Sequence, residues 1–109
     1  MKKSQYLAFA CALLLGSVSM YGQKKGDAAK GKDVFDQCSV CHNSDSTERK
    51  MGPGLKGLFK KGKLESSGKP VTDANVLEKI NDGGNGMPAY KDQLTDDDRA
   101  NLLAFLKTL

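Results

Sequence analysis

Cys38-Ser39-Val40-Cys41-His42 puts two thiols and an imidazole within five residues, the spacing of a c-type haem attachment site. At this spacing two sulfurs can add to the two vinyl groups on one edge of a porphyrin, and the next residue can turn its imidazole toward the metal. The pentapeptide has competitors. Cys-x-x-Cys is also the redox pair of thioredoxin-like folds and half of many zinc sites, so its surroundings decide between them.

The first of those surroundings is the start of the chain. Met1-Lys2-Lys3 precedes an apolar run over residues 6–15 and the small residues Gly16, Ser17 and Ser19, the pattern of a secretory signal. Residues 1–22 are expected to be that signal, cut after Ser19 or Gly22, with one domain over residues 23–109. The apolar run gives way to Gln23-Lys24-Lys25, short of the roughly 20 apolar residues a membrane-spanning helix needs. Only if the segment stays attached would the protein be tethered to a membrane. Its removal takes Cys11 with it and leaves Cys38 and Cys41 as the only thiols. In the oxidising, extracytoplasmic (periplasmic) compartment implied by export, a disulfide between them would close a tiny loop and stabilise little. Haem attachment is the better use of the pair. Zinc is the weaker reading, because the adjacent Cys41 and His42 do not easily serve one tetrahedral ion and no fourth ligand stands out.

Cleavage after Gly22 leaves 87 of the 109 residues, near the size at which side chains alone make a marginal core. Lys2 and Lys3 leave with the signal, so 15 basic residues face 13 acidic ones, a net of +2. Two haem propionates would cancel that charge. No basic patch interleaved with aromatics is present, so nucleic acid is not an expected partner. Arg49, Lys50, Lys56, Lys60, Lys61, Lys63 and Lys69 do gather in the central stretch. They read either as solvated surface or as a docking face for an acidic protein.

The chain reads as all-α, with no alternating stretch that would make a strand. Ala28, Gly31, Val34, Phe35 and Cys38 recur at three- and four-residue steps, predicting a helix over 27–37 that runs into the pentapeptide. A second helix is expected over 72–80, with Thr72 as N-cap, Leu77 and Ile80 facing inward, and Gly83-Gly84 as the stop. Thr95 then caps a last helix. Its acidic first turn at Asp96–Asp98 suits the helix dipole, and Leu102, Leu103, Phe105, Leu106 and Leu109 supply its apolar face.

The iron's sixth position narrows by elimination. His42 is the only histidine, which leaves methionine sulfur, an open site or lysine. Met51 follows His42 by nine residues, too little chain to cross easily to the other face of a haem. Met87 lies 45 residues on, in a glycine-rich loop where backbone can come close to the ring and Pro88 holds the residue before it extended.

Together these features resemble a small class I cytochrome c of the single-haem bacterial type, over essentially all of residues 23–109. Gly86-Met87-Pro88-Ala89-Tyr90 is similar to that family's distal Met-Pro-Ala-aromatic loop, and Gly52-Pro53-Gly54-Leu55 to its Gly-Pro-x-Leu segment. The resemblance implies first and last helices crossed at close range, with Gly31, Phe35 and Phe105 at the crossing. It implies one haem c, bound covalently through Cys38 and Cys41, with His42 and Met87 on the iron. The Pro53 carbonyl would then accept a hydrogen bond from His42, and Leu55 would pack on the haem. There are departures: the chain has no tryptophan, and its 60–70 connection is lysine-rich, so no residue is assigned to the propionates. The implied function is that of an electron carrier between redox protein partners, acting as a monomer or as a subunit of a redox complex. The alternative is a haem enzyme or gas-binding protein with an open sixth site, for which the sequence offers no distal histidine.

Overall fold

The computed structural model describes residues 25–109. The expected signal over residues 1–22 lies outside the described residues. Three helices and one 3-10 turn make up the regular structure, in the order α1 (Ala28–Phe35), the 3-10 turn Leu58–Lys60, α2 (Asp73–Asp82) and α3 (Asp96–Leu106). Among the described residues there is no strand, only two isolated bridges, Lys63 with Pro70 and Gly84 with Met87. No helix among them is long and apolar enough to cross a membrane.

Each helix begins where its sequence supplies an oxygen for the orphan amides of the first turn. The Asp27 carboxylate accepts from the amides of Ala29 at 2.8 Å and Lys30 at 3.2 Å. Thr72 Oγ1 accepts from Asn75 at 3.1 Å. At α3 the cap is reciprocal: Thr95 Oγ1 accepts from the Asp98 amide, and the Asp98 carboxylate accepts from the Thr95 amide, both at 3.0 Å. This is a capping box with aspartate in the place usually held by glutamate or glutamine.

Helix α1 lies chiefly against α3, and Gly31 lets it come close. A Cβ built on Gly31 would overlap the Asn101 carbonyl oxygen and stand 2.8 Å from Phe105 Cβ. Beside it the rings of Phe35 and Phe105 meet with centroids 5.3 Å apart at 52°, the tilted arrangement that aromatic quadrupoles favour. The Asp27 amide donates to Asn101 Oδ1 at 2.8 Å, so Asn101 holds both the start and the middle of α1. The buried core is Phe35, Leu58, Val76, Ile80, Leu94, Leu102, Leu103 and Leu106.

Two expectations need adjusting. The first helix does not reach residue 37. After Phe35 the backbone tightens into successive turns over residues 36–41, where the Cys38 amide bonds Phe35 O at 2.7 Å and the Cys41 amide bonds Cys38 O at 3.1 Å. Ser39 Oγ also donates to Asp36 O at 2.7 Å, a side-chain bond that competes with the regular helical ladder. The second concerns α2, whose buried residues are Val76 and Ile80. Leu77 is only partly buried, packed on the edge of the core. Val76 and Ile80 are four apart and share the stripe that faces α3 and the cavity, while Leu77 is rotated about 100° from Val76.

Candidate haem site

A cavity of about 710 Å³ opens among the pentapeptide turns, α2, α3 and the loop that follows α2, within the roughly 300–1,000 Å³ typical of cofactor sites. Cys38, Cys41, His42 and Met87 all line it, as do Pro53 and Leu55. The floor is apolar, built by Phe35, Leu58, Val76, Ile80, Leu102 and Leu106. These are core residues of all three helices and the 3-10 turn, so the folding core and the cavity wall are largely the same side chains.

On one wall the turns over 36–41 carry two free thiols and lead into His42, whose amide donates back to Cys38 O at 2.9 Å. The imidazole is oriented from outside. Its Nδ1 lies 2.8 Å from Pro53 O, and a carbonyl can only accept, so Nδ1 carries a proton and the neutral ring presents its lone pair at Nε2. Gly52 packs directly against the ring. A Cβ there would stand 2.5 Å from His42 Cε1 and 2.9 Å from Nδ1. The segment is pinned by the Gly52 amide on Cys41 O at 2.8 Å and the Leu55 amide on Asn43 O at 2.8 Å. Burial first, and then the neighbouring Cys41, pushes the Cys38 thiol up to about 11, so at neutral pH this sulfur is protonated.

Met87 enters from the loop after α2. Gly84 and Met87 exchange both backbone bonds, Gly84 N to Met87 O at 2.9 Å and Met87 N to Gly84 O at 3.1 Å. The two residues between them, Asn85 at φ 55° and Gly86 at φ 90°, both sit in the left-handed region. Paired positive φ values around Asn-Gly are the signature of a type I′ turn. Gly83 is equally constrained: φ is 67°, and a Cβ there would stand 2.7 Å from the Pro88 carbonyl. The loop is tied back to α2 by the Tyr90 amide on Ile80 O at 3.0 Å, and to α3 by Arg99, which donates to Lys91 O at 3.2 Å and Asn81 Oδ1 at 3.4 Å. The Tyr90 phenol is pushed above its ordinary value by burial first, then by Cys38 and Cys41.

Met51 lines the same cavity but stands on the cysteine wall, its sulfur 3.8 Å from Cys41 Sγ. At the mouth Arg49 pairs with Glu65, with Lys61 and Lys63 nearby on the rim. The Gly52 contact, the I′ turn and the Arg49–Glu65 pair were not read from the sequence. Asn85-Gly86 is a turn signal that could have been. The other two depend on distant parts of the chain meeting.

A family model described as Cytochrome c matches residues 28–109. The chain belongs to the cytochrome c family. It is 29% identical to a cytochrome c2 of Rhodospirillum rubrum, over 98% of each chain. It is 28% identical to a cytochrome c6 of a Synechocystis species, over 92% of this chain and 82% of that one. Its fold is similar to that of cytochrome c6 from the diatom Phaeodactylum tricornutum, with a TM-score of 0.60 at 24% identity over 76% of this chain and 93% of the other. As a member of this family it is an all-α electron carrier with covalently bound haem c. Its residues suit that group: two thiols, one tautomer-locked imidazole and, away from the cysteine wall, the thioether of Met87 border a single apolar cavity.

Proposed function

We propose that Cys38 and Cys41 form the two thioethers to the haem, that His42 Nε2 and the Met87 sulfur are the two axial ligands, and that the protein shuttles single electrons between redox protein partners outside the cytoplasm without catalysing a reaction of its own. The observation that carries this reading is the cavity itself, bordered by His42, with its Nδ1–H on Pro53 O at 2.8 Å, and by Met87 from the Asn85-Gly86 turn.

Haem supplies a one-electron couple at iron, and thioether ligation favours its ferrous state. The chain's own residues account for the rest. The Pro53 carbonyl fixes the tautomer and orientation of His42 and strengthens its donation. The apolar floor excludes water, and the two Gly84–Met87 backbone bonds with the Tyr90 amide on Ile80 O hold the Met87 loop in place. A site that barely moves between charge states needs little reorganisation when an electron arrives or leaves.

Partners would meet the cysteine side. Val40 and Met51, 71% and 78% exposed, are the large exposed hydrophobics among the described residues, and Arg49 and Lys50 adjoin Met51 in sequence. A small apolar centre with a basic rim suits brief contact with an acidic partner. Export over residues 1–22 would put the protein in the periplasm or another extracytoplasmic space. If that segment is retained, the same domain would work from a membrane tether.

The test is a spectrum. The haem should resist acid-acetone extraction, and the oxidised protein should show a methionine-to-iron charge-transfer band that disappears in Met87→Ala. Rapid carbon monoxide binding by the unmutated ferrous protein, with no such band, would favour the open-site enzyme or gas-binding reading instead.

A further inference from the structure

The turn that presents Met87 is a short excursion, and its backbone is unusual. Gly83, Gly84, Asn85 and Gly86 have φ values of 67°, 113°, 55° and 90°. Four successive residues at positive φ gain little from intrinsic preference, and three of them are glycines with wide freedom in the unfolded chain. The internal ladder of the turn consists of the two Gly84–Met87 bonds. No side chain of residues 83–86 is buried, so apolar packing does little to hold the segment closed. The ties at Tyr90 and Lys91 lie beyond Met87, so the 83–86 side of the turn needs a contact of its own.

The contact present is Lys79. It lies on the last turn and a half of α2, and its Nζ donates to Gly84 O at 3.2 Å. Gly84 O also accepts from the Met87 amide at 3.1 Å, so one carbonyl takes both the bond that closes the turn and the bond that ties it to the helix. The Lys79 backbone takes part as well, since its carbonyl accepts from the Gly83 amide at 2.8 Å. Lys79 therefore grips both ends of the Gly83-Gly84 pair, one with main chain and one with side chain. The side chain is half-buried and lines the cavity. It is not among the residues in ion pairs in the described part of the chain. Gly84 also fits this arrangement sterically, because a Cβ there would stand 3.5 Å from Nζ, ordinary contact distance.

We infer that Lys79 is a positioning residue for the electron-transfer site: its ammonium latches the Asn85-Gly86 turn to α2, and so sets how often the Met87 side of the cavity opens. The inference rests on the reading of Met87 as an axial ligand. Its consequence is kinetic. Release of the latch leaves the two turn bonds and the backbone ties at Lys79 O and Ile80 O, so the open state of the 84–87 turn becomes more populated while the helical core is untouched. A charge-assisted bond from the half-buried Lys79 to the exposed Gly84 carbonyl is expected to shift that local equilibrium about fivefold.

The test uses the full haem-loaded protein with Lys79→Leu, which keeps an apolar side chain and the helix propensity, and Lys79→Arg, which keeps a cationic donor. Two quantities are read: hydrogen exchange at the Met87 amide, and the rate of carbon monoxide binding to the ferrous form, which must wait for the distal side to open. The latch predicts that Lys79→Leu raises both about fivefold, with exchange in α3 unchanged, and that Lys79→Arg restores most of the protection. Unchanged exchange at Met87 in Lys79→Leu would overturn it. So would equal increases in the two variants, which would assign the effect to packing of the stem rather than to the donor. Absence of the charge-transfer band from the unmutated protein would sink the axial role of Met87, while amide exchange at residue 87 would still decide whether the latch exists.

Discussion

Gly52 and His42 touch so closely that any side chain at position 52 would have to displace the ring: a Cβ there would lie 2.5 Å from Cε1 and 2.9 Å from Nδ1 of the imidazole. The obstacle is a ring already held by the Pro53 carbonyl 2.8 Å from Nδ1. It cannot retreat without losing that bond.

Gly52→Ala is therefore expected to tilt His42 and lengthen its bond to Pro53 O, at a cost of about 1–3 kcal/mol. Urea unfolding measures the cost, and the chemical shift of the His42 Nδ1 proton reports the bond. An alanine variant with wild-type stability and an unmoved proton would mean that the ring has room the structure does not show.

A second prediction concerns the helix crossing. Alanine is preferred to glycine in a helix by about 1 kcal/mol, yet Gly31→Ala is expected to destabilise by about 1–3 kcal/mol, because the new methyl would meet the Asn101 backbone and Phe105 Cβ. Gly62→Ala is the control. Nothing lies within 4 Å of a Cβ there and its φ is not in the left-handed range, so it should be neutral or slightly stabilising. Thermal denaturation of the pair separates a close approach from a general intolerance of glycine replacement.

The distal turn gives a third. Gly86 has open space around it and a φ of 90°, so Gly86→Ala adds backbone strain without a clash, about 1–2 kcal/mol. That strain should appear locally. On warming, the methionine charge-transfer band is expected to fade well before far-ultraviolet circular dichroism reports loss of helix, whereas in the unmutated protein the interval should be narrower. Coincident loss in both proteins would show that the turn does not open separately from the core.

How much of this could be read from the sequence varies with the range of the interaction. Thr72 and Thr95 as caps, the apolar stripe of α3 and the pentapeptide itself depend on residues within a turn or two of each other, and periodicity exposes them. The Pro53–His42 bond was legible only through the family resemblance, since nothing in eleven residues of sequence says that the chain doubles back. Val76 in place of Leu77 was missed because neighbouring apolar residues on a helix are told apart only by what lies opposite. The early end of α1 depends on a serine hydroxyl choosing Asp36 O, a local competition that an apolar repeat does not register. Lys79 would pass in sequence for one more solvated lysine on an exposed helix face. Its contact exists only because Gly83 reverses the chain beneath it.

The joining of α1 to α3 through Asn101 also bears on the order in which the molecule is assembled. The Asp27–Asn101 bond spans 74 residues, so the ends of the chain must meet across a long loop, which is entropically costly and slow compared with local turns. Residues 38–42 need no such meeting. Their turns are bonded among themselves, and the two thiols stay accessible while the ends remain apart. Covalent attachment can thus precede closure, and a group fixed there would shorten the search by giving both helices one apolar surface on which to converge.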